Sequence, residues 1–407
     1  MSTAHVIVSD TELSPMPLHG RLLAAWLGQR LSCGRLDLAL PDGSATRIDS
    51  GLPGPTAEIV IRRWRALARF RIGGIAGFTA AYLDGDWDSP DLPSAIELGA
   101  RHVSAFRPGK LLTLPARLAN RLRHLRNANT RRGSRRNVAR HYDLGNAFYA
   151  LWLDPSMTYS SAIFAADGQS LHEAQNNKCR RLLDLLAPRP GERLLEIGCG
   201  WGHFAILAAK ERGLRVTALT LSRSQHELAA RRVHEEGIGD RVSVVLTDYR
   251  DIGGAYDHVA AVEMIEAVGE RYWPPFFSGI HDVLRPGGRA AIQAITIDDG
   301  LFDRYRRSAD FIQRHVFPGG MLPSRCAIAR VASRAGLKIT SDEGFGDHYT
   351  RTLAAWRNRF QAAWPQIRAQ GFNERFGRLW ILYLAYCEGG FRAGNVDLRQ
   401  IALRRTS

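Results

Sequence analysis

Leu194-Leu195-Glu196-Ile197-Gly198-Cys199-Gly200-Trp201-Gly202 is the most informative stretch of this chain. An apolar run ends in three glycines at alternate positions, and an amphipathic segment, Phe204 to Arg212, follows. That order predicts strand, tight turn and helix. Glycines let bare backbone approach a ligand, and the helix N-terminus behind them offers free N–H groups. Glu196 lies two residues before the first glycine, at the C-terminal end of the strand, where open α/β sheets bind ligands. Dinucleotide sites use G-x-G-x-x-G, whereas this turn is G-x-G-x-G with an acid upstream. An upstream carboxylate pairs with a ligand ammonium, which suits a cationic aminoacyl nucleoside better than a pyrophosphate. Taken alone, the same turn also serves as an ordinary βα connection.

Outward from this turn the element types alternate. Strands are predicted at Arg193–Ile197, Arg215–Thr220, Val242–Thr247, Asp257–Val262 and Arg289–Thr296, the last entered by a turn at Pro286-Gly287-Gly288. A sixth begins at Leu337–Ile339, and Val396–Leu403 alternates as a late edge strand. Ser222 to Gln225 fits a capping box that opens a helix running to Glu235. Strands separated by helices mean a mostly parallel sheet with helices on both faces. Residues 298–324 interrupt the rhythm with Phe, Tyr and Arg and end in Phe317-Pro318-Gly319-Gly320, as a lid or substrate wall does.

The chain has 407 residues, enough for two or three domains. Five cysteines (Cys33, Cys179, Cys199, Cys326, Cys387) lack metal or disulfide spacing, so no metal is expected and a reducing cytoplasm is. No signal peptide is expected, and no apolar run approaches the ~20 residues a membrane span requires. The net charge of +15 is concentrated: residues 107–140 hold eleven Lys or Arg and no acid. Such a run is either a solvated linker or an attractor of anions, phospholipid headgroups or nucleic acid. Before it, residues 1–106 carry a hairpin signature around Pro41-Asp42-Gly43-Ser44 and no catalytic constellation, which reads as a small α+β accessory domain. Leu111–Leu125 has the spacing of a basic amphipathic helix. The main domain is expected from residue 141 to 407.

Several strings together resemble the cyclopropane fatty acid synthase family. They are His141-Tyr142-Asp143-Leu144-Gly145-Asn146, Leu153 to Ser161, Glu196 to Gly202, Thr220-Leu221-Ser222, Glu263 to Gly269, and Phe317 to Ser324. They cover roughly residues 140 to 405 and are specific in combination and order; the N-terminal unit is similar to the accessory domain of the longer members. The resemblance implies a Rossmann-like class I methyltransferase fold, with a seven-stranded, mostly parallel sheet. It implies methyl transfer from S-adenosylmethionine to the double bond of an unsaturated acyl chain in a membrane phospholipid. An alkene is a poor nucleophile, so the π-bond must be held in near-attack geometry. The resulting cation needs electron-rich walls and exclusion of water. Loss of a proton from the added methyl closes a cyclopropane, and family members are understood to hold a bicarbonate ion as the base.

Carried over by position, the ion-holding Glu matches Glu266 and the backbone ligand matches Ile295. Three positions depart: Ser161 stands for Cys, Gln293 for His, and His315 for Tyr. Each can still hydrogen-bond, but the bicarbonate and ring closure are left open by these changes. Cyclopropanation is the leading outcome; a methylated alkene or branched chain, with His315 as candidate base, is the alternative. For the cofactor the matching positions are Tyr159, Ser160, Glu196, Gly198, Gly200, Trp201, Thr220, Leu221, Gln225, Asp248 and Tyr249. The implied partners are an unsaturated phospholipid and an anionic membrane met through the basic linker, with the protein peripheral to the inner face. Paired accessory domains suit a homodimer. A nucleic-acid methyltransferase is the rival, since Trp273-Pro274-Pro275-Phe276 imitates an amino-methylating motif, but no nucleic-acid-binding module is evident. A lipid-binding protein without catalysis is the other.

Overall fold

The computed structural model describes residues 18–103, 105, 130, 133, 144–307 and 309–406. The basic stretch and the helix expected at Leu111–Leu125 lie outside the described residues, apart from positions 130 and 133. The chain divides into two compact units, residues 1–120 with 371–395, and residues 121–370 with 396–407.

In the first unit β1 (Arg35–Ala39) and β2 (Ala45–Asp49) form the expected antiparallel hairpin. β3 (Thr56–Ile61) pairs parallel with β1, and the two-residue β4 (Trp87–Asp88) closes the sheet. The helix Glu374–Arg392 belongs here, although the sequence places it in the main domain. Its Arg378 donates to the carbonyls of Tyr82 and Trp87 and pairs with Asp88. Gly389 sits so close to the helix Leu92–Arg101 that a Cβ would lie 2.7 Å from the Ile96 side chain. Small side chains there allow backbones to approach.

The second unit is built on a seven-stranded sheet ordered β10-β11-β9-β8-β5-β6-β7. Its strands are β5 (Arg193–Ile197), β6 (Arg215–Thr220), β7 (Val242–Leu246), β8 (Tyr256–Val262), β9 (Leu284–Ile297), β10 (Leu337–Gly344) and β11 (Val396–Arg405). β7, β6, β5, β8 and β9 run parallel. The period of two sorts side chains to the faces. Leu195, Ile197, Val259, Ala261, Ala290 and Ile292 enter one apolar cluster, while Leu194, Ala260 and Ala291 enter the other.

Two strand expectations are corrected. Pro286-Gly287-Gly288 does not precede β9; it lies inside it as an irregularity, where the register with β8 jumps between Tyr256 and His258. β11 is not an edge strand: it is hydrogen-bonded antiparallel to both β10 and β9. Its residues Leu398, Gln400, Ile401 and Leu403 are buried, so both faces and both ladders are satisfied by the interior. Trp273-Pro274-Pro275-Phe276 begins the helix Trp273–Val283, with prolines in the first turn and Trp273 and Phe276 in the core.

One face of the sheet is covered by the helix Leu171–Leu186, which begins with a complete capping box: Ser170 accepts from the Glu173 N–H, and Glu173 accepts from the Ser170 N–H. Ser170→Ala therefore lowers unfolding free energy by about 1 kcal/mol. Chemical denaturation followed by circular dichroism checks this, and an unchanged midpoint contradicts it.

Candidate active site

The glycine turn has the geometry its spacing predicts. Gly198 has φ +84 and Gly200 has φ +52, conformations that side chains rarely adopt. A Cβ on Gly198 would strike Met264 at 2.4 Å, whereas one on Gly200 would meet nothing within 4 Å. The Gly198 and Cys199 N–H groups donate to the Leu219 carbonyl, tying the turn to β6. The helix His203–Arg212 starts at Gly202 with no side chain capping it. Glu196 is buried, has the Ala205 N–H as the backbone group that eases its charge, and leaves Oε2 without a partner. Burial pushes its carboxyl up to about 8. An orphaned buried carboxylate oxygen beside an open glycine turn fits a ligand ammonium.

The other expected cofactor residues surround this turn. Trp201 is buried and donates from Nε1 to Asn146. Tyr159 joins a cluster of rings with Tyr149, Trp152 and Trp356, each at about the same centroid distance of 5.4 Å. Ser160 Oγ accepts from the buried Lys178 Nζ at 2.7 Å, and its carbonyl accepts from Gln175. Thr220 Oγ1 donates to Gln225 Oε1, so the Gln225 side chain does not return to Ser222 as a capping box requires. Ser222 nevertheless caps the helix Arg223–Glu235 through the Gln225 N–H. Leu221, half-buried, follows Thr220 at the end of β6. Asp248 is buried and forms a two-pronged pair with Arg250. Tyr249 lies edge-on to Phe276, and burial raises its hydroxyl to about 12.

Two of the catalytic candidates, Ser161 and Gln293, converge on Glu263, which the sequence leaves open between a residue of the site and a mere wall. Glu263 follows β8 and has φ +52, an uncommon state for a residue with a side chain. Its Oε1 accepts from the Ser161 N–H at 2.8 Å and from Gln293 Nε2 at 2.9 Å. Its Oε2 accepts from the Tyr349 hydroxyl at 2.7 Å. The Ser161 hydroxyl is turned away and donates to the Ala162 carbonyl. Glu266 accepts from the Ile295 N–H and leaves Oε2 buried and unpartnered. Burial, reinforced by the charge of Glu263, pushes Glu266 up to about 8. Burial also raises Glu263, opposed by its three donors and by Lys178.

Ser161, Gln293, Ile295 and Glu266 are therefore brought to one place, and His315 is not part of that hydrogen-bond set. His315 ends the short helix Phe311–His315, is exposed, and lies against the Phe311 ring. The surrounding segment still closes on the site: the Met321 N–H donates to the Glu266 carbonyl, and Gln313 donates to the Gly320 carbonyl. Tyr349 on the helix Gly346–Ala362 was missed because nothing local marks it. The polar Gln293, inside the otherwise apolar run 290–295 of β9, is the signal that the sequence offers.

Because β5 and β8 are parallel neighbours with Ile197 opposite Ala261, the glycine turn and Glu263 emerge side by side at the same edge. One bay holds an orphaned carboxylate for a cation; the other holds a carboxylate pair against aromatic rings, Tyr349 lying 6.1 Å from Trp356. The donors a small oxyanion would draw on, the N–H groups of Ser161 and Ile295, the Gln293 amide and the Tyr349 hydroxyl, all face side-chain carboxylates instead.

The model of the family described as mycolic acid cyclopropane synthetase matches residues 129–401. The chain is 42% identical to the tuberculostearic acid methyltransferase of Mycobacterium tuberculosis, over 91% of this chain and 88% of that one. It is 33% identical to the cyclopropane-fatty-acyl-phospholipid synthase of Escherichia coli, over 86% of this chain and 88% of that one. A mycolic acid cyclopropane synthase crystallised with SAH and CTAB superposes with a TM-score of 0.63 at 31% identity, covering 67% of this chain and 98% of that chain. The turn, the carboxylates and these likenesses agree: the chain belongs to the mycolic acid cyclopropane synthetase family and is an S-adenosylmethionine-dependent methyltransferase.

Proposed function

We propose that this enzyme methylates the double bond of an unsaturated acyl chain in a membrane phospholipid and releases a methylated alkene. The observation that carries the product is the Glu263 carboxylate, which engages the donors a bicarbonate would need. Glu263 takes the place a bicarbonate would hold among those donors, so on this reading ring closure loses the base that the family resemblance implies. The relative named a tuberculostearic acid methyltransferase supports the same reading. Cyclopropanation, the activity named for the Escherichia coli relative, is the second reading.

When bound, S-adenosylmethionine supplies an electrophilic methyl. Glu196, Gly198, Gly200, Trp201 and the Tyr159–Ser160 segment would hold it. The alkene π-pair forms the new carbon–carbon bond while the methyl–sulfur bond would break with its pair going to sulfur, and a cation is left on the acyl chain. The Tyr159, Trp152 and Trp356 rings and the ionised Glu263 stabilise that charge without water. Glu263 then takes a proton from the chain, and the C–H pair becomes the new double bond. Glu266, pushed up to about 8, stays protonated at neutral pH, while the three donors to Glu263 favour its ionised form against the burial that raises it.

The substrate lies in a bilayer, and among the described residues no helix is long and apolar enough to cross a membrane. Support for peripheral attachment at the inner face comes from the first unit. Leu22 (62% exposed) and Ile72 (73%) stand out beside the exposed Trp26 and Ile75, with Arg21 and Arg71 near them in sequence. The basic stretch 107–140 adds charge attraction.

Three outcomes are expected. Glu196 must lose its proton to take an ammonium, so affinity for S-adenosylmethionine rises as pH climbs toward about 8 and falls once the ligand's own amino group deprotonates. Glu196→Gln abolishes that rise and weakens binding by roughly tenfold or more, read by calorimetry; a flat wild-type profile contradicts this. Lipids from cells expressing the enzyme gain one CH₂ and still add hydrogen across a double bond, while Glu263→Gln cuts turnover by roughly 100-fold. A saturated ring in the product defeats the proposal. Sedimentation with anionic vesicles falls as salt rises; pelleting indifferent to lipid charge and salt removes the electrostatic part of the membrane assignment.

A further inference from the structure

Two buried glutamines lie side by side on one face of the sheet. Gln293 of β9 and Gln400 of β11 are register partners, and both are fully buried. Gln400 Nε2 donates to Gln293 Oε1 at 2.9 Å. Gln293 Nε2 in turn donates to Glu263 Oε1 at 2.9 Å and to the Ser161 carbonyl at 3.2 Å. Gln400 Oε1 has no partner.

A terminal amide has nearly the same shape either way round, so packing alone does not choose which end meets the carboxylate. Reversed, Gln293 would turn its oxygen lone pairs on the lone pairs of Glu263. The Glu263 carboxylate draws the N–H end toward itself, and the Gln293 oxygen then faces β11, where the Gln400 N–H meets it and favours that orientation. The donors therefore run in one direction, from β11 through β9 to Glu263. The orphaned oxygen of Gln400 marks the end of that run, a buried polar atom left unsatisfied to keep its direction.

We propose that Gln400 is a positioning residue, which fixes the Gln293 amide so that its N–H groups point at the Glu263 carboxylate. It acts through Gln293 and so rests on the reading of Glu263 as the proton acceptor. The charged and titratable groups facing Glu263 are Glu266 on its own segment, Lys178 from the helix Leu171–Leu186, and Tyr349 from the helix Gly346–Ala362. Beside Gln400, the β10 register partner Glu343 is paired with Arg181. Losing the oriented donor makes Glu263 harder to ionise, which moves the acid limb of the pH–rate profile upward.

The test uses the full chain with S-adenosylmethionine and unsaturated phospholipid vesicles, assayed for turnover across pH. Gln400→Leu and the longer Gln400→Met are each expected to raise the acid limb by about half to one pH unit, the worth of one hydrogen bond. Neither is expected to move it further in a Gln293→Met background. Two variants are compared so that a folding defect in one leaves the other to decide. A limb that stays in place, or that moves equally in both backgrounds, overturns the role of Gln400. Product identity from the same reactions reports separately on Glu263: a ring in the wild-type product overturns that reading, whereas an alkene product with an unmoved limb overturns only Gln400.

Discussion

A carboxylate buried among aromatic rings survives only if donors meet it, and Glu263 is met from three directions. The Ser161 loop, the β9 strand and the helix Gly346–Ala362 each send one N–H or O–H to it. Those segments are far apart in the chain, so the bonds also fix how loop, sheet and helix meet. The left-handed backbone of Glu263 is the strained part of this arrangement. Strain of that kind costs on the order of 1–3 kcal/mol and persists where surrounding contacts over-determine it.

The sheet topology explains why this anion stands beside the cofactor turn. Parallel β5 and β8 end at the same edge, and Met264 fills the space in front of Gly198. The two bays differ in what their carboxylates lack. Glu196 keeps an oxygen without a protein partner, ready for a cation, whereas Glu263 has its oxygens engaged. One therefore serves recognition of a charge that arrives with the cofactor. The other serves a charge that develops during the reaction, the condition under which fixed dipoles contribute most.

The methyltransferase sheet was legible because its signals are local. The glycine turn, the alternating strands and the Ser222 cap each depend on residues within a few positions of one another. The place of β11 was not legible, since alternation in Val396–Leu403 shows a strand but not its neighbours. The same holds for the helix Glu374–Arg392, whose amphipathic face does not name the unit it packs on. In the site, Ser161, Gln293, Ile295 and Glu266 were found by position, but Glu263 as the acceptor that Ser161 and Gln293 share was not. Glu263 ends a strand that would end well in many residues, and only its backbone angle and distant donors give it meaning. Tyr349 and Gln400 act across β-ladders and helix packing, which spacing along the chain does not encode.

A side-chain carboxylate, rather than a dissolved ion, as the resident base is the claim on which the chemistry depends. Turnover measured in buffers stripped of carbon dioxide, and again after bicarbonate is added back, addresses it directly. With Glu263 as the base the rate is the same in both. A rate that collapses on stripping and returns with bicarbonate contradicts the account.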